Sequence, residues 1–180
     1  MSTIAFATLG CRVNQYDTDS MRGLFLSHGY HEVDFHDVAD VYVINTCSVT
    51  QMGEKKSRQY IRRAKKLNSS SIVVVTGCYA QLEPELISAM EGVDAVIGTN
   101  EKHRIVDIVD MYIREGQEHV ITAVCDVRAY NEFEEIPLYP SAVEHTRADL
   151  KIQEGCNNFC TYCIIPYTRG SLKSRKPDAV

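Results

Sequence analysis

Ile72-Val73-Val74-Val75 is β-branched at every position and offers no polar face. A run of this kind fits a strand covered on both sides, which is the situation of a parallel sheet with helices packed against each face. The neighbouring sequence repeats the theme. Ile4-Ala5-Phe6-Ala7-Thr8, Val41-Tyr42-Val43-Ile44-Asn45 and Ala95-Val96-Ile97-Gly98 are further short apolar runs, 120–124 can add another, and 30–35 alternates weakly, as an edge strand does. Between them the apolar residues recur at helical spacing: Met21, Leu24 and Phe25; Tyr60, Ile61, Ala64 and Leu67; Leu86, Ile87 and Met90; then Ile105, Ile108, Val109, Tyr112 and Ile113. Helix signals fall where they should. Asn14 or Asp17, Ser48 or Thr50, and Asn100 are placed to cap, Pro84 suits a first turn, and Gly116 suits a stop. Strand and helix alternate, which predicts an α/β fold: a flavodoxin-like parallel sheet with helices on both faces.

That pattern fills residues 1–125, which we take as one compact domain. Residues 126–147 are acidic at 126–135, carry Pro137 and Pro140, and read as a linker. Residues 148–180 open a second domain, with Leu150-Lys151-Ile152-Gln153 as a strand. No apolar run is long enough to cross a bilayer and no basic leader precedes the first strand, so a cytoplasmic protein with no membrane partner is expected. The formal charge of −5 does not announce a nucleic-acid binder. It is unevenly spread, however. Lys55, Lys56, Arg58, Arg62, Arg63, Lys65 and Lys66 crowd one helix, either as a face for a phosphate backbone or as plain solvated surface.

Seven cysteines in an intracellular chain argue for metal or redox chemistry rather than a disulfide framework. Cys156, Cys160 and Cys163 form a CxxxCxxC run, in which one short loop can wrap three corners of a [4Fe-4S] cubane that would ordinarily take four thiolates. The fourth iron then stays open to a ligand. A structural zinc site is the rival reading, but zinc sites pair CxxC with a second CxxC or an HxxxH, and none follows here.

Cys11, Cys47 and Cys78 lie far apart in sequence, yet each sits just past the carboxyl end of an expected parallel strand. Those ends gather at one rim, where ligands of open α/β sheets bind, so the three thiols can converge. Asn14, Asn45 and Ser48 can donate hydrogen bonds there, and Gly77 lets backbone approach a bulky group. Three buried structural thiols are the plainer alternative. Cys125 has no counterpart and is expected to be an inert small hydrophobe.

The string KIQEGCNNFCTYCIIPYTRG resembles the methylthiotransferase branch of the radical S-adenosylmethionine enzymes, and TLGCRVNQYDT, VINTCSVT and VTGCYAQ are similar to the three cysteine motifs of that family's amino-terminal domain. Within the family, the first and third motifs look most like the subgroup acting on N6-threonylcarbamoyladenosine in tRNA. The resemblance implies two [4Fe-4S] clusters, an auxiliary one on Cys11, Cys47 and Cys78 and a radical-generating one on Cys156, Cys160 and Cys163. It also implies S-adenosyl-L-methionine at the second cluster, with Tyr162 beside its adenine. Hydrogen abstraction at carbon 2 of the modified adenine, followed by methylthio transfer, would be the reaction.

The same resemblance implies tRNA, through the modified adenosine of its anticodon loop, and an electron donor such as flavodoxin or ferredoxin as partners. Residues 148–180 would be the first strand and cluster loop of a truncated radical barrel of partial TIM type, so this chain by itself is expected to be inactive. Gln153, Glu154, Asn157 and Asn158 could hydrogen-bond the cluster or cofactor, and Arg169, Lys173, Arg175 and Lys176 form a basic tail that could meet phosphate. The alternatives are methylthiolation of isopentenyladenosine in tRNA or of a ribosomal-protein aspartate, and a non-catalytic iron-sulfur carrier.

Overall fold

The computed structural model describes residues 2–48, 51–116, 119–137 and 149–180, without the side chains of Gln51 and Met52. Its described residues form a six-stranded, all-parallel sheet built from β1 (Thr3–Thr8), β2 (His31–Glu32), β3 (Val41–Thr46), β4 (Ile72–Gly77), β5 (Ala95–Ile97) and β6 (Ile121–Ala123), in the order β2-β1-β3-β4-β5-β6. This is the flavodoxin-like order with one strand added at the far edge. β3 is buried along its whole length, and β4 at all but its first residue, as their continuous apolar and β-branched runs require.

Helices cover both faces. α1 (Arg12–Ser27) and α5 (Ile105–Glu115) lie on one side, where Met21, Phe25, Ile105 and Val109 meet Ile4, Val43 and Val74. α2 (Gln51–Leu67), α3 (Cys78–Leu82) and α4 (Pro84–Ser88) cover the other, where Ile61, Ala64, Tyr79 and Ile87 meet Tyr42, Val73 and Val75. No described helix is long and apolar enough to cross a membrane.

Several local expectations need correction. α1 begins at Arg12 with Cys11 in the capping position, so Asn14 and Asp17 are not caps; both are buried inside the helix. Asn100 does not cap α5, which is preceded by a 3-10 turn at Lys102–Arg104; its Oδ1 instead accepts from Lys173 Nζ at 2.7 Å. Ser48 lies before α2 and its hydroxyl makes no hydrogen bond among the described residues, so it does not cap the helix there; Thr50 lies outside the described residues. Leu86 and Ile113 were expected to face inward and are about half exposed. Gly116 does close α5 in the left-handed conformation.

Residues 126–137 do not hang free. Val127 and Ile136 are buried, and Glu134 makes an ion pair with Lys102 at 3.0 Å. The strand expected over 150–153 is reduced to β7 (Gln153–Glu154), which pairs antiparallel with β8 (Lys173–Ser174), while Leu150 and Ile152 stay half exposed. Between the two strands run the CxxxCxxC loop and the short α6 (Ile165–Thr168).

Candidate metal centres at one rim of the sheet

Parallel pairing fixes where the first three cysteines go. Thr8 sits opposite Asn45, and Thr46 opposite Gly77, so β1, β3 and β4 end side by side. Cys47 and Cys78 follow directly, and Cys11 follows two residues after Leu9, whose N–H donates to Asn45 O at 2.9 Å. The rim is packed tightly. A Cβ on Gly10 would lie 2.9 Å from Cys47 Sγ, and one on Gly77 would overlap Asn45 Oδ1 and the Thr46 backbone; both glycines also have positive φ.

Asn14 and Asn45 tie these ends together. Asn14 Nδ2 donates to Leu9 O at 2.7 Å and to Thr46 O at 2.9 Å, and Asn45 Nδ2 donates back to Asn14 O at 2.9 Å. The Thr46 hydroxyl donates to Thr76 O and accepts from Ala80 N, which holds β3, β4 and α3 in one frame. Cys47 and Cys78 are buried and Cys11 is exposed. In the second set, Cys156 and Cys163 are half buried and Cys160 is exposed. Gly155 lies too close to the backbone of Gly170 and Ser171 for a side chain, and Gly170 too close to the backbone of Val127; Cys156 N donates to Gly170 O at 3.1 Å, and Cys163 N donates to Cys160 O at 2.9 Å. The loop is thus closed at its base by backbone.

The fold brings the backbone positions of Cys11, Cys47 and Cys78 to one rim. Among the described residues, however, no three His, Cys, Asp or Glu side chains are gathered closely enough to hold a metal ion, so neither trio is a preformed ligand set. The residues still fit a thiolate-held cluster in kind. Each set offers three soft donors, and the Ser48 hydroxyl, beside Cys47, is buried with no hydrogen-bond partner among the described residues.

What the sequence reading missed is the buried ionic network that joins the two sets. Arg169, just after the cluster loop, reaches into α1: it donates to Asn14 Oδ1 at 2.6 Å, pairs with Asp17 at 3.2 Å and with Glu154, and also faces the Cys78 thiol. Lys151 Nζ lies 2.5 Å from Asp17 Oδ1 and 3.4 Å from Glu154, and Lys102 is 3.9 Å from Asp17. Burial alone would push the Asp17 carboxyl up, but Lys102, Lys151 and Arg169 together hold it well below its ordinary value. Glu134 is likewise pushed up by burial, yet Lys102 and the His103 hydrogen bonds bring it down to about 2.

These contacts correct the expected basic tail. Arg169 and Lys173 are buried, Arg175 is mostly covered and pairs with Glu135 at 2.9 Å, and only Lys176 is exposed. Glu154 pairs with Arg169 and Lys151, Asn157 Oδ1 accepts from Leu172 N at 2.9 Å, and Gln153 Nε2 donates to Ser174 Oγ at 3.1 Å. Tyr162 is 90% exposed. Cys125 is exposed, with its carbonyl held by Gln81 Nε2 at 2.9 Å, and is therefore not a buried hydrophobe. Spacing gave no sign of this network, because its partners stand up to 155 residues apart.

Residues 3–98 match the family model described as "Uncharacterized protein family UPF0004". The chain is 51% identical over its whole length to the threonylcarbamoyladenosine tRNA methylthiotransferase MtaB of Bacillus subtilis, covering 39% of that protein. It is 44% identical over 172 residues to the protein of the same name from Aquifex aeolicus, covering 95% of this chain and 41% of that one. Against the tRNA-2-methylthio-N(6)-dimethylallyladenosine synthase of Rickettsia rickettsii the identity is 34% over 184 residues, covering 96% and 40%. The chain therefore spans about two fifths of the length of these relatives. With more than half of its residues under the family model and its cysteine-bearing strand ends in that portion, the chain belongs to the UPF0004 family.

Proposed function

We propose that this chain is the part of a tRNA methylthiotransferase that holds its two iron-sulfur clusters, in an enzyme that adds a methylthio group to carbon 2 of N6-threonylcarbamoyladenosine. The observation that carries the reading is the placement of the two thiol sets: three strand-end cysteines share one rim, and Arg169 pins the CxxxCxxC segment to that rim through Asn14 and Asp17. Identity of 51% to a relative named for this substrate, against 34% to one named for dimethylallyladenosine, favours the threonylcarbamoyl nucleoside.

In this proposal Cys11, Cys47 and Cys78 hold one [4Fe-4S] cluster and Cys156, Cys160 and Cys163 the other. When bound, the clusters and S-adenosyl-L-methionine supply one-electron chemistry and a transferable methylthio sulfur. The chain's own residues do the positioning. Asn14 and Asn45 clamp the strand ends, Gly10 and Gly77 keep Cβ atoms out of the space beside Cys47 and Asn45, and the Ser48 hydroxyl, without a hydrogen-bond partner among the described residues, can donate to a cluster sulfur. Arg169 brings a fixed positive charge against Cys78 at the rim. Tyr162, projecting into solvent, is available to cover the adenine of the cofactor. A flavodoxin or ferredoxin would deliver the electron, in the cytoplasm.

Mass spectrometry of nucleosides from tRNA tests this. Cells lacking the gene should lose the methylthio-threonylcarbamoyladenosine peak and regain it with the wild-type gene but not with Cys47→Ala. An unchanged peak contradicts the substrate, and loss of the methylthio-isopentenyl nucleoside instead transfers the reading to that alternative.

A further inference from the structure

Several cations outside α2 are matched to carboxylates. Arg22 pairs with Asp19 and Glu32, Lys102 with Glu134, Lys151 with Asp17, and Arg175 with Glu135. α2 instead concentrates cations without such partners on one helix. Of its seven Lys and Arg only Lys65 has an ion-pair partner among the described residues, Asp94 at 2.8 Å, and Arg58 leans on the Tyr79 hydroxyl at 3.4 Å. Lys55, Lys56, Arg62, Arg63 and Lys66 are exposed with no ion pair to any described residue, in a chain whose overall charge is −5. Leaving five like charges uncompensated within three helical turns costs stability through their mutual repulsion. A face kept this way is suited to an anionic partner.

The face is also shaped. A cavity of about 660 Å³ opens along one flank of α2, lined by Arg58, Arg62, Lys65 and Lys66 with Ser69 and the backbone of Gly92. On the other flank a smaller one, about 270 Å³, is lined by Lys56, Gln59 and Arg63 together with His36 and Leu9. Leu9 stands two residues before Cys11, so the basic path begins at the cysteine rim and runs down the helix.

We propose that this face of α2 is a docking surface for an RNA phosphate backbone, leading a folded RNA toward the rim; the inference rests on the tRNA reading above and assigns it a place on this chain. From Lys55 to Lys66 a helix advances on the order of 16 Å, enough to meet several phosphates of a duplex that carries about one charge per 1.7 Å of axis. Arg62 and Arg63 add planar guanidinium groups able to grip a phosphate through two hydrogen bonds. A membrane surface is disfavoured, because none of the large exposed hydrophobic side chains among the described residues belongs to α2.

The test is binding of the 180-residue chain to a fluorescein-labelled RNA hairpin, followed by anisotropy across a salt series, with a poly-glutamate peptide and phosphatidylserine vesicles as parallel probes. Arg63→Glu combined with Lys66→Glu should weaken hairpin binding roughly tenfold to a hundredfold and lower the slope of log affinity against log salt by about 2. Both positions are exposed, and a circular-dichroism melt unchanged from wild type establishes that the variant is folded. Lys176→Glu, away from the face, should leave binding as it was. No hairpin binding by the wild type at low salt, equal weakening by Lys176→Glu, or equal affinity for the peptide or the vesicles overturns the proposal. None of these results touches the nucleoside assay, so the docking surface can fail while the enzymatic reading stands.

Discussion

Arg169 Nη2 donates to Asn14 Oδ1 at 2.6 Å, across 155 residues of sequence, with both side chains almost fully buried. A single guanidinium thereby connects the loop of Cys156, Cys160 and Cys163 to the helix that begins beside Cys11. A buried cation must be paired and fully hydrogen-bonded, and Asp17, Glu154 and Asn14 together meet that requirement.

Removing it should therefore cost more than a surface charge does. Arg169→Met leaves Asp17 and Glu154 facing each other with only lysine compensation, and we expect a loss of about 3–5 kcal/mol, as for other broken buried pairs. Thermal melts measure it, and limited proteolysis should show residues 149–180 becoming cleavable before the sheet unfolds. Arg169→Lys should recover part of the loss, because a lysine keeps the charge but not the fork that reaches Asn14 and Asp17 at once.

The parallel sheet was legible because its strands are apolar and β-branched throughout, as at Val73, Val74 and Val75, and because glycine and proline punctuate the helices. The sharing of one rim by Cys11, Cys47 and Cys78 followed from the same pattern. Asn14 and Asp17 misled for a physical reason. Polar residues near a helix start often cap it, but Asn14 and Asp17 lie inside α1 and face inward, toward Arg169 and Lys151 from a segment more than 130 residues later. Arg169 and Lys173 misled in the same way, since charged residues near glycine-rich turns are usually solvated, whereas these are matched to buried carboxylates and amides.

The two rim glycines should separate from a third. Gly77→Ala would place a Cβ into Asn45 and the Thr46 backbone, and Gly10→Ala would press on Cys47 Sγ, both at positive φ. Gly29 also has positive φ, but its Cβ would meet nothing. Gly29→Ala should cost about 1–2 kcal/mol of backbone strain alone, and the rim substitutions at least that much again, in denaturant titrations.

Stability should fall in acid through Glu134. Its folded value near 2 lies below the ordinary 4.5, so the stabilisation is complete above the ordinary value and is lost as pH falls through the folded one. A drop on the order of 3 kcal/mol is expected between pH about 4.5 and 2, and Glu134→Gln should flatten that part of the profile of urea midpoint against pH. Asp17 contributes in the same direction, so a residual slope should remain in the variant.

Asn14→Ala removes two donated bonds to Leu9 and Thr46 carbonyls and the acceptor for Arg169. A loss of about 2–3 kcal/mol is expected, with amide hydrogen exchange rising first at residues 9, 45 and 46 rather than uniformly.

The central claim is that two separate cysteine sets each hold a cluster, and iron and acid-labile sulfide counts on anaerobically reconstituted protein test it most directly. The wild-type chain should bind about eight iron and eight sulfide, and about four of each should remain when either Cys11, Cys47 and Cys78 or Cys156, Cys160 and Cys163 are replaced by Ala. Zinc without sulfide, or a full iron count surviving the loss of the three strand-end cysteines, would contradict it.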